Sequence, residues 1–243
     1  MKLEKKNAVI TGGTRGIGRA ISLALAEKNA NVALNYHINE GKAKEAVEEA
    51  KQKGVNVCKI KADVRDFVQV QRMMKLVKKN FGGIDILVNN AGITGKHYGL
   101  SKITPEEWKD VVAVNLTGSF YCCKAALSEL LKNKGKILNI SSISGKTGGL
   151  ATGSHYDASK AGVIGLTFSL ARELAPHVMV NAIAPGPVDT GIISDEVKEQ
   201  LSQATPFGRI ARPEEIAHTV IYLLENDYVS GEVIDVNAAR YLD

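Results

Sequence analysis

Tyr156 and Lys160 are the two residues of this sequence whose types and spacing most directly suggest chemistry. They are four positions apart in a segment with a helical pattern, so their side chains lie on the same face of that helix. A phenol has a pKa of about 10 and is a poor proton donor or acceptor at neutral pH. A neighbouring ammonium favours the phenolate, and we therefore expect Lys160 to lower the pKa of Tyr156. The pair would then serve in general acid–base catalysis.

The spacing of this pair is weak evidence by itself, because seven tyrosines and the lysine content of this chain predict roughly 0.7 such matches by chance. Two other polar residues strengthen it. Ser142 ends a predicted strand and Tyr156 opens the next predicted helix, so both point into one crevice. Asn115 interrupts the apolar pattern of residues 111–116 in the preceding helix, either because it acts at the site or because it makes structural hydrogen bonds.

A glycine-rich turn with the sequence Thr-Gly-Gly-Thr-Arg-Gly-Ile-Gly covers residues 11–18, between the first predicted strand and the first predicted helix. Gly12 allows a sharp turn, Gly16 allows the backbone to approach a phosphate, and Gly18 allows the helix to pack closely on the strand. The N-terminus of the helix offers free N–H groups and a positive dipole end to a pyrophosphate. In an alternating α/β chain this turn predicts a dinucleotide site.

The end of the second predicted strand bears on which dinucleotide binds. That strand ends with Asn35, Tyr36 and His37, and no acidic residue follows before Glu40. An NAD site usually has a carboxylate there for the ribose 2′-hydroxyl, and a carboxylate would repel a 2′-phosphate. Arg15 could bind such a phosphate, with or without help from His37, so we predict NADP(H). The alternative is that both side chains are merely solvated.

Polar and small residues follow the next two predicted strands. Asp63, next to Val64, could accept a hydrogen bond from the adenine amino group, or it could instead cap the helix that begins near Asp66. The segment Asn89-Asn90-Ala91-Gly92 follows the fourth predicted strand, where small residues would let the backbone lie against a ribose or a ring.

Short apolar runs that alternate with helical patterns must position these residues. The predicted strands cover 7–11, 31–36, 56–61, 84–89, 135–141, 179–184 and 233–236. The predicted helices cover 17–28, 40–53, 66–81, 105 to about 132, 156–174, and a segment that opens at Pro213. Strands separated by helices pair in parallel through right-handed crossovers. We therefore predict an α/β fold: a single doubly wound Rossmann-type domain over residues 1–243, with a seven-stranded parallel sheet and helices on both faces.

The least regular stretch of the chain covers residues 186–206, close to three prolines. A long loop in a compact domain often closes over a site, so we predict a substrate lid there. The alternative is a plain surface connection.

The composition excludes several classes of protein. Hydrophobic residues make up 44% and charged residues 23%, which is not typical of collagen-like or disordered chains. The net charge of +5 is spread along the chain, without the basic cluster and interleaved aromatic residues of a nucleic-acid binder. Three cysteines suggest no disulfide framework and no metal site. We find no signal peptide and no membrane span, and predict a cytoplasmic protein with neither nucleic-acid nor membrane partners.

The motifs above, in this order, resemble those of the short-chain dehydrogenase/reductase family over essentially the whole chain. The resemblance implies an NADP-dependent oxidoreductase with a catalytic tetrad of Asn115, Ser142, Tyr156 and Lys160. Ser142 would hydrogen-bond the substrate carbonyl, and Tyr156 would deliver the proton as hydride arrives from the nicotinamide. Lys160 would bind the ribose, lower the pKa of Tyr156 and connect to a water relay anchored by Asn115.

The resemblance also extends the expected cofactor site to the segment after the sixth strand, where Pro185, Gly186 and Thr190 would contact the carboxamide. The full set of expected cofactor contacts is Gly12, Thr14, Arg15, Gly16, Ile17, Gly18, Asn35, Tyr36, His37, Asp63, Val64, Asn89, Ala91, Gly92, Tyr156, Lys160, Pro185, Gly186, Val188 and Thr190.

Within the family, the chain is most similar to reductases of 3-oxoacyl thioesters, through the segments 139–142, 156–162 and 207–210. The implied substrate is a 3-oxoacyl group on an acyl-carrier protein or coenzyme A, as in fatty acid biosynthesis. The alternatives are a reductase of a sugar, a polyol or another small carbonyl compound and, more remotely, a non-catalytic dinucleotide sensor. The segments 95–99, 146–155 and 191–205 would face the substrate, but their residue types do not indicate which substrate binds.

The chain departs from the family pattern at several places. The loop between Ser142 and Tyr156 is one residue longer than usual, and Ser144 is a competing candidate for the serine role. Asn237-Ala238-Ala239 stands where Asp-Gly-Gly is more usual. The usual arginines for docking an acidic carrier protein are not evident, and Lys124, Lys132, Lys134 and Lys136 are either substitutes or plain solvated lysines.

The resemblance also implies a homotetramer that pairs the long helices, here 111–132 and 156–174. Phe120, Cys123, Ala126 and Leu127 form an apolar stripe that could serve in this pairing or could equally face the sheet.

Overall fold

The computed structural model describes residues 1–96, 99–149, 152–191 and 194–242. Seven strands lie in these ranges: β1 (Asn7–Ile10), β2 (Asn31–Tyr36), β3 (Val57–Lys61), β4 (Ile86–Asn89), β5 (Lys136–Ile140), β6 (Met179–Pro185) and β7 (Val233–Val236). The helices are α1 (Gly16–Glu27), α2 (Glu40–Lys51), α3 (Phe67–Phe81), α4 (Pro105–Val112), α5 (Gly118–Asn133), α6 (Ser144–Thr147), α7 (Ser154–Leu174), α8 (Asp195–Gln203) and α9 (Pro213–Glu225).

The strands form one parallel sheet in the order β3-β2-β1-β4-β5-β6-β7. This confirms the predicted doubly wound α/β fold. The order reverses between β1 and β4, and a crevice for ligands opens at the carboxyl ends of the strands at such a point. The glycine-rich turn follows β1, residues 90–92 follow β4, and Ser142 follows β5, so all three lie at the same edge of the sheet.

Alternate residues of each central strand face opposite sides of the sheet and enter two separate hydrophobic cores. Ile10 of β1 packs with residues of α1 and α9 on one side. Val9 packs with residues of α3, α5 and α7 on the other. Both residues are fully buried. Burial on both faces explains why the strands are almost continuously apolar, as in other parallel sheets.

The ends of two helices agree with local sequence signals. Thr104 caps α4 by accepting a hydrogen bond from the N–H of Glu107 at 3.1 Å, and Pro105 occupies the first turn, as predicted. Asp66 caps α3 by accepting from the N–H groups of Val68 and Gln69. The cap is therefore Asp66, and the alternative assignment of Asp63 as this cap is wrong.

Three helical features differ from the sequence prediction. The long helix that begins at Pro105 is interrupted by a π-helical turn over Ala113–Thr117. The short helix α6 follows β5, and α8 lies inside the stretch expected to be irregular. Helix α8 begins at the Ser194 cap but is short and mostly exposed, so it lacks the apolar periodicity that identifies a helix in sequence.

Among the described residues, one helical segment, Pro105–Asn133, is long enough to cross a membrane, and an 18-residue window within it has a mean hydropathy of 1.2. No membrane span was predicted from the sequence. In the fold, the α5 part of this segment packs on α3 and β4, so its apolar side serves the core of the domain.

Candidate active site

The glycine-rich turn brings three backbone segments into close contact. Gly12 and Gly16 have φ angles of +60° and +50°, which favour glycine. A Cβ atom on Gly18 would lie 2.2 Å from the carbonyl oxygen of Gly12, so no larger residue fits there. A Cβ atom on Gly16 would lie 3.1 Å from Cβ of Thr190, which places Thr190 beside the N-terminus of α1.

Two asparagine side chains form hydrogen bonds with the backbone of the glycine-rich turn. The Asn35 side-chain oxygen accepts the N–H of Gly12 at 3.2 Å. The Asn90 side chain donates to the carbonyl oxygens of Thr11 and Gly12 at 2.9 and 3.1 Å. The Thr11 hydroxyl accepts the N–H groups of Asn90 and Ala91 at 2.9 and 3.0 Å. These bonds preorganise the turn around its backbone N–H groups.

Asn90 was not among the expected site residues, whereas Asn89 was. The Asn89 side chain is buried on the α5 side of the sheet, where it donates to Asn139 at 2.9 Å and lies 3.2 Å from Sγ of Cys123. The signal for Asn90 was present, since it is part of the Asn-Asn-Ala-Gly segment. Choosing between the neighbours required the face of the strand to be known, because neighbouring residues point to opposite faces.

Of the three cofactor contacts expected at the end of β2, one lies at the surface. Asn35 and Tyr36 are buried, and His37 is exposed. Nε2 of His37 lies 3.6 Å from a carboxylate oxygen of Asp63. Arg15 is exposed, and its guanidinium has no hydrogen-bond or ion-pair partner among the described residues, although its carbonyl oxygen accepts the N–H of Arg19.

Asp63 is bound by Arg65, which was not among the expected site residues. The Arg65 guanidinium donates to both oxygens of this carboxylate: Nε lies 3.0 Å from Oδ1 and 2.9 Å from Oδ2, and Nη2 lies 2.7 Å from Oδ2. It also binds Asp110 of α4. The hydrogen bonds from Arg65 hold the pKa of Asp63 below its usual value. The neighbouring Val64 is buried, and its side chain packs directly on Gly118 of α5.

The segments after β5 and at the start of α7 bring Ser142, Tyr156 and Lys160 together. The Ser142 hydroxyl lies near enough to the Tyr156 phenol to lower the pKa of that phenol. Nζ of Lys160 lies 5.7 Å from the centroid of the Tyr156 ring and donates to the carbonyl oxygen of Ile140 at 2.7 Å. The Ser142 hydroxyl also accepts the N–H of Ser144 at 3.1 Å. Of the two candidate serines, Ser142 is the one whose hydroxyl influences the pKa of the phenol.

The electrostatics of this cluster differ from the sequence prediction. Burial raises the pKa of Tyr156, and the hydrogen bond with Ser142 only partly offsets that effect. Burial also lowers the pKa of Lys160 to about 8. Desolvation therefore dominates the titration of both side chains in the protein by itself, and the lowering of the Tyr156 pKa expected from Lys160 together with a bound cofactor stays a prediction.

Asn115 lies in the π-helical turn, which directs its buried side chain towards the segment after β4. Its oxygen accepts the N–H of Ile93 at 2.8 Å, and its nitrogen donates to the carbonyl oxygen of Ile93 and to Ser159, both at 2.9 Å. The Ser159 hydroxyl donates in turn to the carbonyl oxygen of Tyr156 at 2.7 Å. Asn115 therefore links the β4 segment to the helix that carries Tyr156.

The remaining expected contacts lie along the same edge of the sheet. A Cβ atom on Gly92 would lie 3.5 Å from Nζ of Lys160. Gly186 donates its N–H to Val236 at 2.9 Å, and Val188 forms an isolated bridge with Ala211. The other members of the set are Thr14, which is buried, Ile17, which packs on the hydrophobic core, and Pro185, which ends β6.

The three segments expected to face the substrate each include residues outside the described ranges, namely 97–98, 150–151 and 192–193. The described parts of the expected lid are joined by an ion pair at 3.1 Å between Asp189 and Lys198 of α8. Among the described residues, no cluster of three or more His, Cys, Asp or Glu side chains could hold a metal ion.

The two ends of this crevice suit a dinucleotide. Free N–H groups at a helix N-terminus can bind a pyrophosphate, and the turn before this helix contains glycines at which a Cβ atom would clash. The Ser–Tyr–Lys cluster lies at the same edge of the sheet, near the end of β5. The sequence model of the short chain dehydrogenase family matches residues 6–201.

This chain belongs to the short-chain dehydrogenase family. It is therefore an oxidoreductase acting on C=O and CH–OH groups, and the family implies a nicotinamide dinucleotide cofactor. Curated relatives include the 3-oxoacyl-[acyl-carrier-protein] reductase of Staphylococcus aureus, 44% identical over 244 residues, with 98% of each chain covered. The enzyme of the same name from Aquifex aeolicus is 38% identical over 248 residues, with 99% of each covered.

A solved structure from Burkholderia xenovorans, described as a short-chain dehydrogenase/reductase, is similar throughout. It has a TM-score of 0.89 and 32% sequence identity, and the match covers 94% of this chain and 95% of that one. The predicted fold, family and enzyme class are thus confirmed.

Proposed function

We propose that this protein reduces the ketone of a 3-oxoacyl thioester, carried by acyl-carrier protein or coenzyme A, to a secondary alcohol with NADPH. The names of the curated relatives support the substrate class. The observation that carries the reaction is the position of the Lys160 ammonium over the Tyr156 ring, with the Ser142 hydroxyl acting on the same phenol.

The chain's own groups divide the work as follows. The hydroxyls of Ser142 and Tyr156 hydrogen-bond the substrate carbonyl oxygen and so orient the ketone and stabilise the charge that develops on it. Tyr156 donates the proton, and its raised pKa keeps the phenol protonated for this step at neutral pH. A bound reduced nicotinamide supplies the hydride.

Lys160 and Asn115 support these two groups. Lys160 would bind the ribose hydroxyls with the N–H donors that Ile140 does not use. Asn115 positions the helix segment of Tyr156 through Ser159 and fixes Ile93 beside it. The water relay through Asn115 that the family resemblance implies stays a prediction.

The preference for NADP(H) rests on charge at the end of β2. Arg15 offers an exposed guanidinium beside the glycine-rich turn, and His37 is exposed nearby. The next acidic residue along the chain, Glu40, is bound by Lys59, whose ammonium lowers its pKa. We propose that the ribose 2′-phosphate binds between Arg15 and His37.

We propose that the segment 186–206, with α8, closes over the substrate, and that the enzyme is a cytoplasmic homotetramer. Of the predicted apolar stripe on α5, Cys123 and Ala126 are buried in the domain core, whereas Phe120 is exposed. Phe168 of α7 is also exposed. These two aromatic rings support association through the α5 and α7 faces.

Docking of an acidic carrier protein would use a smaller set of lysines than the sequence suggested. Lys136 is buried and its ammonium is bound by Asp227 at 2.8 Å, so it cannot serve. Lys124, Lys132 and Lys134 remain candidates.

The test is oxidation of NADPH or NADH by the purified enzyme with acetoacetyl-coenzyme A. We expect rapid oxidation of NADPH and slow oxidation of NADH. A rate with NADH alone would contradict the cofactor assignment. No rate with either, followed by turnover of a simple diketone or a sugar, would retain the family and reject the thioester substrate.

A further inference from the structure

His155, directly before Tyr156, is a completely buried histidine outside the expected tetrad. Its Nδ1 atom accepts the N–H of Tyr156 at 2.8 Å. An acceptor nitrogen carries no proton, so in the neutral ring the proton is on Nε2. Nε2 has no hydrogen-bond partner among the described residues, and Oε1 of Glu107 lies 3.6 Å from it.

Glu107, on α4, holds the chain segment that follows β4. Its Oε1 atom accepts the N–H of Lys96. A Cβ atom on Gly95 would lie 2.3 Å from Nε2 of His155 and 3.0 Å from Oε1 of Glu107, and Gly95 has a φ of +80°. The segment can therefore pack this closely against the imidazole and the carboxylate only because residue 95 is glycine.

We propose that His155 and Glu107 act together as positioning residues, fixing the 93–96 segment against the start of α7 and thereby placing the Tyr156 hydroxyl. This is a second link beside the one from Asn115 through Ser159. Asn115 holds Ile93, at one end of the segment, and Glu107 holds Lys96, at the other. Both links end on the backbone of Tyr156, one at its carbonyl oxygen and the other at its N–H.

At the N-terminus of α7, His155 also supplies a hydrogen-bond acceptor for the first turn of the helix. The capping position is Gly153, which has no side chain to accept an N–H of the first turn. Instead, the N–H of Tyr156 is shared by two acceptors. These are Nδ1 of the His155 imidazole at 2.8 Å and the carbonyl oxygen of Gly153 at 2.9 Å. Loss of this acceptor would loosen the first turn of α7, and the hydroxyl of Tyr156 would move with it.

The test compares His155→Phe, which removes both ring nitrogens, with His155→Asn, whose side-chain oxygen can replace Nδ1. Since a small misplacement of a catalytic group can cost about 100-fold, we expect His155→Phe to lower kcat about 10- to 100-fold with little change in KM for cofactor. His155→Asn should recover most of that loss. Glu107→Ala should lower kcat, whereas Glu107→Gln, which keeps an acceptor for Lys96, should not.

Two further readouts separate positioning from a purely structural role. In His155→Phe the alkaline limb of the pH–kcat profile should move to higher pH, because a displaced Tyr156 loses the Ser142 hydrogen bond that lowers its pKa. Amide hydrogen exchange, measured without substrate, should be faster at both Tyr156 and Lys96 in His155→Phe. In Glu107→Ala it should be faster at Lys96. Unchanged kcat and exchange, or no recovery by His155→Asn, would overturn the proposal.

The kinetic part of this inference rests on the proposed function, and the exchange part does not. If the unmodified enzyme reduces no ketone, the proposed function fails while the exchange data still decide whether the link exists. If it is active and neither variant alters exchange or kcat, the inference fails alone.

Discussion

The Nζ atom of Lys160 lies 5.7 Å from the centroid of the Tyr156 ring, over the phenol face. Lys160 is buried and Tyr156 is half-buried, and desolvation favours the neutral form of each. The pKa of Tyr156 is therefore raised, and that of Lys160 is lowered to about 8. This protein environment suits a phenol that must hold its proton until it donates it.

Tyr156→Phe should lower kcat at least about 100-fold, because it removes the proton donor without altering the ring. Cofactor affinity, measured by nicotinamide fluorescence, should stay within about threefold, since 1.4 kcal/mol would be needed for tenfold. Tyr222→Phe on α9 is the control, as that hydroxyl is at the surface. Loss of cofactor binding in Tyr156→Phe would show that its role is misassigned.

Lys160→Met should stabilise the cofactor-free protein near neutral pH, because it removes a buried ammonium. Burial lowers the Lys160 pKa from 10.5 to about 8. Between those pH values the unfolded chain binds more protons than the folded chain. The loss of folding stability caused by the buried ammonium is therefore complete below about pH 8 and decreases as the pH rises. The upper limit of this loss is about 3 kcal/mol, from 1.36 kcal/mol per pKa unit.

Thermal or urea unfolding at several pH values checks this prediction. The stability advantage of Lys160→Met over the unmodified protein should be largest near pH 7 and should shrink towards pH 10. Lys132→Met, at an exposed position of α5, should show no such trend. A variant that is less stable at pH 7 would mean that the hydrogen bond to Ile140 outweighs the cost of burial.

Arg15→Ala should raise KM for NADPH about 10-fold or more and leave KM for NADH almost unchanged, because charge-assisted hydrogen bonds contribute about 1.5–3 kcal/mol. Steady-state kinetics with both cofactors measure the difference. Arg72→Ala, at an exposed position of α3, serves as the control. Equal effects on both cofactors would reject the 2′-phosphate assignment.

The turn after β7 should be stabilised by glycine. Ala238 and Ala239 have φ angles of +54° and +61°, a region that costs L-residues with a Cβ about 1–2 kcal/mol. Glycine loses more chain entropy on folding, which offsets about 0.5–1 kcal/mol of the gain. Ala238→Gly and Ala239→Gly should therefore each raise the free energy of unfolding by about 0.5–1 kcal/mol.

Chemical denaturation measures this gain. Ala204→Gly is the matched control, because Ala204 has a φ of −80° and the same exchange there should be neutral or destabilising. A loss of stability in either turn variant would contradict the strain argument.

Much of the fold could be predicted from residues that are close together in sequence. The alternation of apolar runs and helical patterns predicts parallel strands, and β2 and β7 have the predicted bounds. Tyr156 and Lys160 share a helix face because a four-residue spacing is local geometry. The glycine-rich turn follows β1 for the same reason, since its position depends only on neighbouring elements.

The candidate site was predicted less completely, because several of its contacts join residues far apart in the chain. A shift of one residue along β4 decides whether Asn89 or Asn90 reaches the glycine-rich turn, and such a shift exchanges the two faces of a strand. Arg65 meets Asp110 only because the fold brings α4 to the segment that follows β3.

The sequence by itself determined the parallel α/β architecture, the family motifs and the local geometry of the Tyr–Lys pair. Only the tertiary structure decided the direction of the Tyr156 pKa shift and the contact between His155 and Glu107. The reason is physical: helical periodicity and turn chemistry act between neighbours in sequence. Desolvation depends on every chain segment that packs around a group, and a one-dimensional pattern does not specify that environment.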